Sequence, residues 1–217
     1  MSARVSAASG PRSSPVLDTR RIAAAGLRVA DRGGVTGFTM RAVAEELGVT
    51  AMALYHYVPD KAGLVALMVD AAIVERPLPP PTGVWRDDLW NIAAWMRQTS
   101  LDHPALGKLR QSYRVWGPSI LRVTERWLAV WQQSGLPLTE AVTAAATSSL
   151  AITGLVQEEA AYDQTDWPTA EGDLALLPNA RLVFTQQRDR FADFELLVRA
   201  LIDGLHARLL ASRQALP

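Results

Sequence analysis

Apolar positions recur three and four residues apart along most of the chain, and no run alternates with period two. That pattern predicts an all-α protein without sheet. The first periodic segment, about Thr19 to Arg32, places Ile22, Leu27 and Ala30 toward a core and ends at Gly33-Gly34. Two short helices joined by a tight turn follow. Thr39 caps the first, its hydroxyl accepting from backbone N–H groups two or three residues on. Val43 and Leu47 share one face of it, and Ala44 is small where the second helix must cross. Gly48 ends it in the left-handed conformation that a tight turn needs. Thr50 caps the second helix and Leu54 docks it on the first. Pro59 closes it, because the residue before proline is pushed out of helical space. Asp60 then caps a fourth helix, Lys61 to about Val74, with a stripe of Leu64, Leu67, Met68 and Ala71.

Pro77-Leu78-Pro79-Pro80-Pro81 interrupts the pattern. A polyproline segment is semi-rigid, so residues 76–83 read as a linker, either a plain spacer or a stiff connector that turns a shift in one domain into rotation of the other. Residues 84–217 form the larger domain. Its first helix, about 84–102, is apolar on several faces through Trp85, Leu89, Ile92, Met96, Trp90, Ala94 and Trp95, as suits the middle of a bundle. A short helix from Pro104 to about Tyr113 follows, then one from Ser119 to Ser134 carrying Leu121, Trp127, Leu128 and Trp131. Thr139 is expected to cap a long Ala/Ser/Thr-rich helix ending near Tyr162. Residues 163–178 read as a loop. The last helix, about 186–211, repeats apolar residues at Phe191, Phe194, Val198, Leu201 and Leu205, a packing seam. Residues 1–16, rich in Ser, Ala, Gly and Pro, read as a solvated tail or as a basic arm reaching DNA through Arg4 and Arg12. The expected division is therefore tail 1–16, first domain 17–75, linker 76–83 and second domain 84–217.

Composition narrows the function classes. The net charge is zero, so the protein as a whole has no blanket affinity for polyanions. Residues 1–74 carry eight basic and six acidic side chains, a slight excess that would not point to nucleic acid unaided. There is no cysteine, which excludes disulfides, thiol catalysis and cysteine zinc sites. No leader-like apolar core stands at the start and no apolar run is long enough to span a membrane, so the expected location is cytoplasmic. The three histidines fall on separate elements, and no nucleophile-elbow or phosphate-loop sequence is present. Glu45-Glu46 and Glu158-Glu159 are adjacent and so point to different helix faces. No enzymatic activity is expected.

Residues 39–61 are the most informative stretch. A helix–turn–helix presents its second helix to the major groove of DNA. Gly37-Phe38-Thr39-Met40-Arg41, Ala44-Glu45-Glu46-Leu47-Gly48-Val49-Thr50 and Leu54-Tyr55-His56-Tyr57-Val58-Pro59-Asp60-Lys61 resemble the DNA-binding domain of the TetR (tetracycline-repressor) family of bacterial regulators. More distantly, Trp85-Arg86-Asp87-Asp88-Leu89 and Leu201-Ile202-Asp203-Gly204-Leu205 resemble segments of its tetracycline-repressor subgroup. The resemblance implies a homodimer paired through the helices near 139–162 and 186–211, a palindromic operator with half-sites roughly 34–36 Å apart, and release of DNA by a small effector. It implies that Arg41 reaches a base edge, and a guanidinium suits guanine. It matches Thr39, Thr50, Tyr55, Tyr57 and Lys61 to backbone-contacting positions. Ala51, Met52 and Ala53 stand where relatives often place polar base readers. Ala51 and Met52 can pack on thymine methyls, His56 can reach a base or phosphate, and specificity then leans on Arg41 and DNA shape.

All seven tryptophans lie outside the first domain. Part of that set can line an aromatic pocket for a flat or bulky apolar ligand, with Trp95, Met96, Trp116, Trp127 and Trp131 as candidates and Gln157 and Glu158 as the polar pair beside them. The resemblance matches Glu158 to an acid near a drug-bound Mg²⁺, but the histidine of that site has no counterpart. One carboxylate holds Mg²⁺ poorly. Neither a structural metal nor a cofactor is expected, and tetracycline is disfavoured as the effector.

Overall fold

The computed structural model describes residues 17–161, 172 and 174–214. The tail 1–16, Trp167 and most of the predicted loop 163–178 lie outside the described residues. Among the described residues the chain is helical throughout, with no strand, in the order α1 (Thr19–Gly37), α2 (Met40–Leu47), α3 (Ala51–Tyr55), α4 (Lys61–Glu75), α5 (Trp85–Asp102), α6 (Pro104–Ser112), α7 (Pro118–Gln133), α8 (Leu138–Ala161), α9 (Pro178–Thr185) and α10 (Arg190–Gln214).

Two cores organise these helices. The first gathers Ile22, Leu27 and Ala30 of α1, Val43 and Ala44 of α2, Leu54 of α3, and Leu64, Val65, Met68, Val69 and Ala72 of α4. α4 therefore turns its 64/65/68/69/72 face inward, and the expected Leu67 and Ala71 are only half-buried. The stripe is offset because α1 packs along that side of α4. The close approach is possible because position 26 is glycine: a Cβ there would come within 2.8 Å of the Met68 sulfur.

α6 belongs to this first core, although it lies beyond the linker. Its Ala105, Leu106 and Leu109, with Val115 just after it, are buried among the α1 and α4 side chains. The second core is built from Leu89, Ile92 and Ala93 of α5, Trp127, Val130 and Trp131 of α7, a face of α8 and Phe194, Val198 and Ile202 of α10. α5 packs against α6, α7, α8 and α10, the central place that its many-sided hydrophobicity predicts. An ion pair crosses the same region. Arg97 of α5 forks onto Glu159 of α8, donating through Nε at 2.7 Å and through Nη2, while its guanidinium covers Phe191 and Phe194 of α10.

Several boundaries differ from expectation. α1 continues past Gly33-Gly34 to Gly37, bent at Gly34 (φ 62°, ψ −165°). α3 stops at Tyr55, four residues before Pro59, because the Tyr57 and Val58 N–H groups turn back onto the Leu54 carbonyl and Val58 is buried. Thr139 lies inside α8 rather than capping it; the Ala141 N–H already bonds the Pro137 carbonyl. α9 is a helix that the sequence reading missed. α10 begins at Arg190 because Asp189 accepts from the Phe191 and Ala192 N–H groups. Its buried seam is Phe194, Val198 and Ile202, whereas Phe191 is half exposed.

The linker is strapped down. The Arg76 carbonyl accepts from the Trp95 indole at 2.7 Å and its guanidinium pairs with Asp102. Leu78 packs on the second core. At the far end, Asp88 accepts from the Thr82 N–H at 2.6 Å and the Thr82 hydroxyl at 2.8 Å. Burial pushes the Asp88 carboxyl up, but the Thr82 and Gly83 donors and nearby Arg126 outweigh it and hold the carboxyl below the usual range. Its ionised form therefore stabilises the fold above the ordinary carboxylate range, and that contribution is lost as pH falls through the depressed folded value. Asp88→Asn should cost about 2 kcal/mol near neutral pH, and the difference from the parent should narrow in thermal melts taken at progressively more acid pH. A gap that stays constant down to acid pH would contradict the role assigned to the carboxylate.

Candidate nucleic-acid interface and ligand cavity

The helix–turn–helix is assembled by caps. The Ala42 N–H donates to the Thr39 hydroxyl at 3.1 Å and the Ala53 N–H to the Thr50 hydroxyl at 3.3 Å. Gly48 takes the left-handed conformation (φ 68°), so its own N–H and that of Val49 can bond the last turn of α2. Leu54 is fully buried and anchors α3. Asp60 caps α4 through the Gly63 N–H.

This scaffold leaves Thr39, Arg41, Thr50, Met52, Tyr55, His56 and Tyr57 exposed on one short stretch, with Ala51 half-buried against the first core. Met52 is 69% exposed, so its side chain is open to a partner surface. His56 and Tyr57 occupy the turn after α3 rather than the helix itself. Arg41 is tied to Glu45 at 2.9 Å in a fully solvated i,i+4 pair; such a pair is weak and releases the guanidinium at little cost. Lys61 differs from expectation. It is half-buried, and its ammonium lies over the rings of Phe38 and, from the end of α6, Tyr113, at 5.0 and 5.4 Å from their centroids. Glu46 draws in Arg28 and Arg32, whose hydrogen bonds hold its carboxyl below the usual range. These two arginines brace α1 against α2.

The second feature is a cavity of about 770 Å³ between α4, α5, α6, α7 and α8. Trp95, Met96, Trp116, Trp127 and Gln157 all line it. Two candidates do not. Trp131 is wholly buried in the second core, stacked near Trp85 at 5.8 Å. Glu158 is exposed and faces away, since adjacent helical residues diverge by about 100°. Glu159, its neighbour, is the partner of Arg97.

Sequence reasoning missed the α6 contribution. Leu106, Gly107, Arg110 and Gln111 form a wall, joined by Val69, Ala72 and Ile73 of α4. The missed signal was the short Pro104–Ser112 helix itself, whose apolar positions enter the first core while Arg110 and Gln111 border the cavity. One buried serine fixes the opposite wall. The Ser148 hydroxyl accepts from the Trp127 and Trp131 indoles at 3.2 and 3.1 Å and donates to the Ala144 carbonyl.

α6 ends in an αL cap. The Val115 N–H bonds the Arg110 carbonyl and the Arg114 N–H bonds the Gln111 carbonyl. Arg114, at φ 49°, occupies the position that glycine usually takes and is the one left-handed non-glycine residue among those described. The conformation costs a side-chain-bearing residue about 1 kcal/mol. Substituting Ser148→Ala should orphan an indole N–H and destabilise the fold by about 1–3 kcal/mol, with a changed near-ultraviolet circular dichroism spectrum. An unchanged melt and spectrum would contradict its role as the clamp of α7 on α8.

Residues 22–68 match the model of the family described as bacterial regulatory proteins, tetR family. Residues 76–209 match the tetracyclin repressor-like C-terminal domain. The HTH-type transcriptional repressor DrrR1 of Streptomyces coeruleorubidus is 37% identical over 139 residues, 62% of this chain and 50% of the relative. An HTH-type transcriptional regulator of Saccharopolyspora erythraea is 31% identical over 156 residues, 71% of this chain and 66% of the relative. The chain thus spans from half to about two thirds of the length of these curated relatives. A possible TetR family transcriptional regulator from Streptomyces coelicolor A3(2) superposes with a TM-score of 0.74 at 25% identity, covering 88% of this chain and 99% of that one. With both halves matched in order and more than half of the length covered by one family model, this chain belongs to the TetR family of bacterial transcription regulators.

Proposed function

We propose that the chain is a homodimeric repressor that binds a palindromic duplex and is released by a small, largely apolar effector entering the cavity. One observation carries the reading: the same side chains serve the cavity and the DNA-reading domain. Leu106, Val115, Val69 and Ala72 line the cavity and are members of the core that holds α1 to α4. A ligand filling the cavity presses on a wall that is also the foundation of the helix–turn–helix. It shifts the DNA affinity by as much as it prefers one arrangement of that wall over another.

The dimer reading rests on the outer faces of α8 and α10. Leu196 and Leu197 of α10 are exposed, as are the small residues Thr147 and Gly154 of α8 and Ala200, Gly204 and Ala207 of α10. Apolar side chains beside small ones suit close helix packing against a second copy. No helix among the described residues is long and apolar enough to cross a membrane.

On the DNA side, Arg41 is the side chain best suited to a base edge, because the first turn of α3 offers only Ala51, Met52 and Ala53. Thr39, Thr50, Tyr55 and Tyr57 supply hydroxyls for phosphates, and Lys61 its ammonium. With genomic fragments selected by the protein as probes, Arg41→Ala should weaken specific binding by roughly 1–3 kcal/mol and flatten the preference over random duplex. Lys61→Ala should weaken both duplexes alike and lower the salt slope by about one. Equal loss on specific and random duplex for Arg41→Ala, measured by fluorescence anisotropy, would remove its base-reading role.

A further inference from the structure

The cavity is apolar in area but not neutral. Arg110 and Arg114 both line it, and no aspartate or glutamate does among the described residues. His103, the remaining ionisable group in the wall, is engaged with Asp31 at 2.9 Å. Neither arginine has an ion-pair or hydrogen-bond partner for its side chain among the described residues, whereas Arg28, Arg32, Arg76, Arg86, Arg97 and Arg199 all do. Arg114 is exposed, but Arg110 is half-buried, an unusual position for a guanidinium with five donors and no acceptor beside it. Arg110 is desolvated enough that burial alone pulls its pKa down. The backbone adds an independent indication. The cap of α6 would be relieved by glycine at 114, yet that position holds a second arginine at the same cavity.

We infer that the effector carries an anionic group, a carboxylate or sulfonate on an aromatic or polycyclic body, and that Arg110 and Arg114 bind it. The inference rests on the reading of the cavity as the effector site. The two residues stand four apart, as the third-last position of the helix and the residue of its left-handed cap, so both guanidinia start from one end of α6. Charge-assisted, forked hydrogen bonds are the strong ones, and an anion there supplies the counter-charge that the described residues of the wall lack. The apolar body lies against Trp95, Met96 and Trp127. Trp116, 65% exposed, stands at the opening.

Two fluorophores of matched skeleton test this on the full chain: 1-anilinonaphthalene-8-sulfonate and the uncharged N-phenyl-1-naphthylamine. The intact protein should bind the sulfonate at least tenfold more tightly, and each probe should displace the other. Arg110→Gln and Arg114→Gly should each weaken the sulfonate about tenfold, ~1.4 kcal/mol, and leave the uncharged probe within twofold. Arg114→Gly should also melt no lower than the parent, because glycine relieves the cap, so that its loss of binding cannot come from unfolding. Equal affinity for the two probes, or a preference for the sulfonate that both variants retain, overturns the anion site and leaves the cavity reading standing. Failure of the intact protein to bind either probe overturns both.

Discussion

The rest of the molecule depends on α6 being shared. A nine-residue helix that follows the linker in sequence is packed into the N-terminal core by Ala105, Leu106 and Leu109. On its other side it presents Gly107, Arg110 and Gln111 to the cavity. Lys108 and Ser112 face solvent, and Leu106 serves both the core and the cavity. The helix therefore cannot shift for a ligand without disturbing α1 and α4. Burying Leu109 completely at that junction contributes on the order of 2–3 kcal/mol, a large fraction of the net stability of any domain. Rigid coupling is the consequence of economical packing.

The remaining walls, α5, α7 and α8, are held more firmly. α7 is clamped to α8 through Ser148 and two indoles, and α5 is tied to α8 and α10 through Arg97, Glu159 and two phenylalanines. The linker is bonded at both ends, to Trp95 and to Asp88. A stiff frame on three sides leaves α6 and the adjoining face of α4 as the wall that can respond. The Lys61 ammonium, seated over Tyr113 at the end of α6 and over Phe38 beside the helix–turn–helix, adds a polar contact along the same route.

Much of this was legible in the sequence because it is local. The caps at Thr39, Thr50 and Asp60, the left-handed Gly48 and the anchor Leu54 are short-range events whose geometry follows from residue type. The long helices followed from apolar spacing, and three tryptophans were assigned to the cavity wall that they occupy. Failures came where tertiary context decides. The buried face of α4 is set by where α1 lies, not by the helix's own stripe. Trp127 and Trp131 are chemically alike, four residues apart and both buried in the second core, and only the fold shows that Trp127 also borders the cavity while Trp131 does not. Thr139 has a cap residue's chemistry, but α8 already starts one residue earlier. Membership of α6 in the first core, the fact on which the mechanism turns, is a contact across the linker that no periodicity reports. Arg110 and Arg114 were invisible for a further reason: their significance lies in the absence of acidic partners around them among the described residues, which only the fold reveals.

The central claim is that cavity and DNA-reading domain move as one through α6, and amide hydrogen exchange tests it most directly. No residue of α1 lines the cavity, so a ligand reaches it through α6, through α4 or through His103, the cavity-lining residue whose imidazole bonds Asp31 of α1. Exchange should be recorded for Ile22–Ala30 with and without saturating 1-anilinonaphthalene-8-sulfonate, in the parent and in Leu109→Ala. The account predicts altered protection of α1 on binding in the parent and a much smaller change in the variant. Protection changes confined to α5, α7 and α8, with α1 untouched while the probe is bound, would contradict it.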